Sequence, residues 1–326
     1  MDDTGRQTPA VSLPPVRWPG LDGAPERRFD LIIVGDVRLE IRAQLTGGLR
    51  FTDLTSDRLA YAPARAVIAG TAVNLARPAT RYFRRTGLLT RIGDDDHTDT
   101  IRRELARLGV RDLCGVEPGA PNGVAVMVRD SSPGGPGVRL LIAERDAPSR
   151  LLSESDVHRA AAQIRDADAV FLDGYGLLSP TSRTATHAAA RLARDAGTVV
   201  ALDLVPHDID ARLPLTKVLP LLSLADVVFT EAGTVSRLLG APGAVTADGA
   251  HGLLPVLDRA VRGRPLWLLR CGPTDLETVL AYRAAGDGGL LLEYPTGYGE
   301  GVERAGFGDR LAAAELYWWL SARSRG

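Results

Sequence analysis

At 326 residues, with 45% hydrophobic and 24% charged side chains, the chain has the makeup of a soluble globular protein: one large domain, or one domain with a small appendage. A formal net charge of -1 excludes a general nucleic-acid or membrane-surface binder, and the basic charge is nearly all arginine, Lys217 being the one lysine. Cys114 and Cys271 lie far apart with no second cysteine or suitably spaced histidine beside either, so neither a disulfide framework nor a structural zinc site is indicated and a cytoplasmic location is expected.

Residues 1–28 are rich in Pro, Gly and Asp, lack the basic start and apolar run of a signal peptide, and are expected to form a disordered arm. No stretch reaches the roughly 18 unbroken apolar residues of a membrane span. Residues 29–35 are a short apolar run ending in Gly35, the pattern of a buried parallel strand. Asp36 and Glu40 follow it. Ligands of open α/β sheets bind beyond the carboxyl ends of the strands, so both acids read either as substrate contacts or as solvated loop acids.

Residues 42–67 break into short pieces punctuated by Thr and Gly, which suit strands of a small separate sheet. A helix is predicted from Ala69-Gly70-Thr71-Ala72-Val73-Asn74 to Thr86. Gly70 permits close backbone approach, and Asn74 sits one turn into an apolar helix, either facing a ligand or making a cap. The spacing then predicts a strand over residues 88–93, a polar Asp94-Asp95-Asp96 loop, and a helix from His97 to Leu108 closed by Gly109. Residues 123–129 and 138–144, the latter ending in Glu144, flank a Ser-Pro-Gly turn and predict a hairpin.

From Ser153 helices and strands alternate: a helix to Arg165, a strand over 169–173, a helix over 180–194 and a strand over 199–203. A strand over 226–230, helices over 232–239 and near 253–261, a strand over 266–270 and two β-rich runs before Tyr294 complete the pattern. This rhythm predicts an α/β fold with a parallel sheet and helices on both faces.

The last segment is Gly306-Phe307-Gly308-Asp309 opening an apolar helix to Leu320. Two glycines let backbone N–H groups converge without a Cβ, and the helix start adds partial positive charge, so the turn suits an anion such as a transferring phosphoryl group. The same residues also read as an ordinary loop and helix cap.

Taken in order, Gly35-Asp36, Gly70-Thr71 with Asn74, the loop from Arg91 to Asp96, the hairpin, residues 226–240 and Gly306-Phe307-Gly308-Asp309 resemble the ribokinase-like (PfkB) sugar and nucleoside kinases. The resemblance spans residues 29–320. It implies a ribokinase-like parallel sheet flanked by helices, with a small β-sheet lid from about residues 38–66 and 120–146. It also implies ATP and Mg2+ as cofactors and transfer of the γ-phosphoryl group to a hydroxyl of a sugar-like or nucleoside-like acceptor. Asp309 matches the general base, with Gly306 and Gly308 as the anion-hole glycines. Asp36, Glu40, Gly70, Thr71, Asn74 and Glu144 fall on the acceptor side; Glu231, Arg270, Gly272, Arg304 and Phe307 fall on the nucleotide side. No metal ligand is assigned, and pairing of two chains through the lid is expected.

Several positions depart from the family's pattern. Glu231-Ala232-Gly233-Thr234 stands for Asn-x-x-Glu, Glu303-Arg304-Ala305-Gly306 for Asp-Thr-x-Gly, Arg270 for a threonine, and Phe307 for alanine. They leave a second reading, a pseudoenzyme that binds a sugar or nucleotide in a regulatory role.

Overall fold

The computed structural model of the chain describes residues 25–57, 59–130, 138–204, 208–241, 246–263, 265–271, 276–282, 290–295 and 306–323. Most of the expected arm, the turn of the hairpin, Gly272 and Arg304 lie outside the described residues. The described residues fall into two compact units, one over residues 26–198 and one from residue 199 onward.

In the first unit, β1 (Asp30–Val34) is buried along its whole length, as a strand covered on both faces must be. It pairs in parallel with β4 (Arg85–Leu89) on one side and β10 (Ala169–Asp173) on the other, and β4 pairs in parallel with β6 (Val110–Asp112). A separate sheet has the order β3 (Ala64–Ala69), β2 (Arg38–Gln44), β8 (Val124–Arg129), β9 (Arg139–Ala143). There β8 and β9 form the expected hairpin, and β2 joins β8 in parallel. A two-stranded parallel pair, β5 (Arg91–Ile92) with β7 (Gly115–Val116), completes the strands. The helices are α1 (Thr71–Tyr82), α2 (Thr98–Leu108), α3 (Glu154–Arg159), α4 (Ala161–Asp166) and α5 (Pro180–Asp195). Gly109 ends α2 with φ of 71°, the left-handed stop expected of it.

In the second unit, β11 (Val199–Asp203), β12 (Val227–Glu231) and β13 (Leu266–Cys271) are parallel. Then β14 (Leu276–Tyr282) and β15 (Leu290–Pro295) add antiparallel strands in the order β15-β14-β13-β12-β11. Its helices are α6 (Ile209–Arg212), α7 (Leu215–Leu222), α8 (Ala232–Leu238), α9 (Ala247–Ala260) and α10 (Phe307–Arg323). The fold is thus α/β with a mostly parallel sheet flanked by helices and a small separate sheet. No helix among the described residues is long and apolar enough to cross a membrane.

Four boundaries differ from those expected. The helix predicted to reach Thr86 stops at Tyr82, because Phe83 is extended and Arg84 and Arg85 both hold the Asp30 carboxylate, which draws the chain back alongside β1. The single strand over 88–93 is two, β4 and β5, divided at Thr90 and belonging to different sheets. The helix from Ser153 breaks at Ala160 into α3 and α4, and α9 starts at Ala247, where the Thr246 hydroxyl accepts from the Gly249 N–H.

Candidate active site

In the first unit, the turn after β1 and the start of α1 are built against each other. Gly70 has φ of 94° and ψ of 153°, a conformation essentially reserved for glycine. A Cβ there would strike the Asp36 backbone, whose carbonyl accepts from the Ala72 N–H at 3.2 Å. Gly35 is as confined: a Cβ would come within 2.6 Å of the Asp173 Cβ. Two acceptor-side candidates far apart in sequence, Asp36 and Gly70, are therefore neighbours.

Around them lies a polar cluster that sequence reasoning only partly reached. The Asp36 carboxylate is buried and accepts from Arg38 Nε at 2.5 Å and from the Ser149 hydroxyl. The Asp173 carboxylate, closing β10, is 1% exposed. It accepts from the Thr71 hydroxyl, from the Tyr175 N–H at 2.9 Å and from the Asp36 N–H at 3.2 Å. Arg38, Ser149 and Asp173 were not expected. Asp173 carried a signal, since it ends an apolar run just as Asp36 follows one, and Arg38 shares with Glu40 the alternation of one strand face.

Burial pushes the Asp173 carboxyl up to about 6, with the Asp36 charge adding to the push, while the hydrogen bonds from Thr71, Tyr175 and Asp36 hold it back. Its folded value lies above its ordinary value of 3.8, so the folded state binds this proton more tightly than the unfolded chain does. The group therefore costs nothing below pH ~4, and its cost grows as pH rises from ~4 to ~6, reaching on the order of 3 kcal/mol. Asp173→Asn is expected to remove this dependence: denaturant melts at pH 5 and pH 7.5 should show the variant gaining on the unmodified protein at the higher pH. An unchanged difference between the two at both pH values would place the carboxyl in a well-solvated setting instead.

Glu40 is buried on β2, its carboxylate accepting from Arg42 Nε at 2.8 Å. Asn74 is partly exposed on α1, and no described residue hydrogen-bonds its side chain; Pro78 one turn on has no N–H to give to the Asn74 carbonyl. Glu144 is exposed, its carbonyl accepting from Arg38 at 2.8 Å.

In the second unit, Glu231 and Arg270 are paired across the carboxyl ends of the parallel strands β12 and β13. The Arg270 guanidinium reaches Gly308: a Cβ at Gly308 would collide with Arg270 Nη1 and lie 3.2 Å from its Cζ. Gly306 has φ of 84°, the left-handed region that favours glycine, and α10 begins directly after it with Asp309 in its first turn. A fixed cation, a glycine without Cβ and a helix start thus meet around Asp309, a set suited to an anion. Phe307 is 5% exposed, its ring in the core, so the contact it can offer a nucleotide is its backbone.

Nucleotide phosphates fit this arrangement of donors. Mg2+ held through phosphates and waters asks only one or two carboxylates of the protein, and among the described residues Glu231, at the end of β12, and Asp309, in the first turn of α10, can supply them. No group of three or more metal-binding side chains exists among the described residues.

Comparison with known proteins places the architecture. The chain resembles adenosine kinase from Sinorhizobium meliloti at a TM-score of 0.71 and 19% identity, over 90% of this chain and 88% of that one. It resembles a putative ribokinase II from E. coli, in its apo form, at 0.70 and 20%, over 92% and 87%. Fructokinase from Xylella fastidiosa follows at 0.64 and 20%, over 88% and 81%. At such identities these likenesses show the fold. Comparison with curated protein sequences gave no match. The family model described as pfkB family carbohydrate kinase matches residues 63–259, more than half of the sequence, and the chain therefore belongs to the PfkB family of carbohydrate kinases.

Proposed function

We propose that this chain is an ATP-dependent phosphotransferase that moves the γ-phosphoryl group to a hydroxyl of a sugar-like or nucleoside-like small molecule. The observation that carries the reading is the meeting of Arg270, Gly308 and the start of α10 around Asp309. One neighbour, the putative ribokinase II from E. coli, is described in complex with ATP and Mg2+, and others are adenosine kinase and fructokinase, which supports this donor and these acceptor classes.

ATP with Mg2+ supplies the activated phosphoryl group. The rest falls to this chain's residues. An alcohol is too weak an acid to attack unaided, and Asp309 Oδ takes its proton as the new bond forms, a contribution of roughly 10²- to 10⁴-fold. Arg270, the Gly306 and Gly308 backbone and the positive end of α10 stabilise the negative charge spread over the phosphoryl oxygens. Glu231 and the Phe307 backbone complete the nucleotide side, to which we also assign Gly272 and Arg304. On the acceptor side, Glu40, Asn74, Asp36, Glu144 and the Gly70-Thr71 backbone orient hydroxyls.

The replaced nucleotide motifs at Glu231 and Arg270 favour the second reading, a pseudoenzyme, only if nucleotide no longer binds. Isothermal titration with ATP·Mg2+ separates the two: saturable binding below millimolar concentration is expected, and no heat at millimolar nucleotide would leave the regulatory reading in place.

Two further parts of the proposal are a cytoplasmic location and a homodimer through the separate sheet. Its edge strand β9 exposes Leu140, Leu141 and Ile142 together, at 45% or more each, more apolar surface than an edge strand ordinarily leaves in water. Sedimentation velocity should return twice the chain mass at micromolar protein; a monomer there would remove the dimer.

A further inference from the structure

Asp173 closes β10 with a side chain that is 1% exposed, and its two carboxylate oxygens are engaged differently. Oδ1 accepts the Tyr175 N–H at 2.9 Å, within its own turn. Oδ2 accepts from two other segments at once: the Asp36 N–H at 3.2 Å in the turn after β1, and the hydroxyl of Thr71, the first residue of α1. One buried oxygen thus joins the two elements that carry most of the acceptor-side candidates.

A tie of this kind needs no charge. A neutral amide or hydroxyl oxygen also satisfies backbone N–H groups, whereas a carboxylate this far from water lowers stability at neutral pH. What the ionised carboxylate adds is a fixed sense of hydrogen bonding: it only accepts, so the Thr71 hydroxyl must donate to it. The single proton of that hydroxyl is then committed to Asp173, and its lone pairs are left for whatever lies on the other side. Thr71 is partly exposed, as is Asn74 one turn on along the same helix face.

We propose that Asp173 is a positioning residue of the acceptor side: by holding the Thr71 proton it makes Thr71 Oγ a hydrogen-bond acceptor for one hydroxyl of the compound to be phosphorylated. This rests on the phosphotransferase reading and adds the side chain of Thr71 to it, with the direction of one hydrogen bond. Asp173 acts through Thr71, both of its own oxygens being buried and occupied. Contact with a carboxylate also polarises the Thr71 hydroxyl and strengthens it as an acceptor.

Protonation reverses the arrangement. Burial and the Asp36 charge push the Asp173 carboxyl up to about 6. Of its three partners two are backbone N–H groups that cannot accept, so the added proton goes to Thr71 Oγ and the hydroxyl compound loses the polarised acceptor. The other charged groups that face Asp173 are Asp36, itself held by Arg38 of β2, and Arg150, whose guanidinium stands against the Tyr175 ring. All of them are retained in the variants below.

The test uses the full chain with D-ribose, D-fructose and adenosine as probes, none of which gains or loses a proton between pH 5 and pH 8. Binding is read by titration calorimetry at both ends of that range, and phosphoryl transfer from ATP·Mg2+ is followed at pH 7.5. The best-bound probe is expected to bind about three- to tenfold more weakly at pH 5 than at pH 8. Asp173→Asn and Thr71→Val should each abolish that dependence, Thr71→Val with weaker binding at pH 8, while Thr71→Ser keeps it. A role confined to joining the two backbone segments would leave the dependence in place in Thr71→Val, where the Asp173 carboxyl is still present. Circular dichroism at both pH values checks folding; if Asp173→Asn does not fold, Thr71→Val beside Thr71→Ser carries the test. A pH dependence that persists in Thr71→Val, its absence from the unmodified protein, or no binding of any probe overturns the inference. Binding that follows this pattern with no transfer to any probe supports the inference and counts against the phosphotransferase reading, while transfer with binding independent of pH does the reverse.

Discussion

Asp309→Asn is expected to lower kcat by about 10²- to 10⁴-fold while leaving equilibrium binding of acceptor and nucleotide within a few-fold of the unmodified protein. The amide has the shape of the carboxylate and keeps an acceptor oxygen, but it cannot take the proton of an attacking alcohol. Asp309 lies in the first turn of α10 with the Arg310 N–H bonded to the Gly306 carbonyl at 3.0 Å, so the exchange leaves the turn's backbone bonds untouched. The check is steady-state kinetics beside calorimetric binding. A variant with near-normal kcat would show that another group takes the proton, and equal losses in binding and turnover would make Asp309 a structural residue of the turn.

The largest effect on the folded state is expected from Gly70→Ala. The φ and ψ at Gly70 cost an L-residue on the order of 1–3 kcal/mol by themselves, and the added Cβ meets backbone: the Asp36 carbonyl, with its carbon at 2.8 Å, and the Val37 Cα at 2.9 Å. Backbone cannot swing aside as a side-chain tip can. The Asp36 turn must shift, which breaks its bond to the Ala72 N–H and pulls the carboxylate from Arg38 and Ser149. Gly109→Ala is the control, because Gly109 also has positive φ but nothing lies within 4 Å of its Cβ position, so strain of about 1 kcal/mol is all it should show. Denaturant melts should separate the two variants clearly, with Gly70→Ala also weakening acceptor binding. Equal losses at both positions would mean that the Asp36 turn yields and that the close approach at Gly70 has no structural weight.

How much of this was legible in the sequence depended on whether local pattern or distant contact decided each feature. The buried strand β1 could be read from its unbroken apolar run, and the end of α2 from Gly109, because both are settled by residues next to one another. The end of α1 could not. Nothing near Phe83 forbids a helix; the stop comes from Asp30, which is distant in sequence and gathers Arg84 and Arg85. Asp173 was passed over for a similar reason, since an Asp-Gly pair after an apolar run reads as a turn until its three donors, two of them from segments around residues 36 and 71, are in view. Arg270 was reached through the family resemblance, while its close approach to Gly308, a residue distant in sequence, is visible only in the structure. Phe307 shows the opposite case, where a residue picked for its position in a motif turns its side chain into the core.

The central claim, phosphoryl transfer from ATP to a hydroxyl with Asp309 taking its proton, is tested most directly by following label from γ-labelled ATP·Mg2+ into a panel of hydroxyl compounds that spans sugars, sugar acids and nucleosides. Time-dependent appearance of a labelled acceptor with the unmodified protein, and its near absence with Asp309→Asn, is the predicted result. Label that stays in ATP across the whole panel, or that moves equally fast with Asp309→Asn, would contradict it.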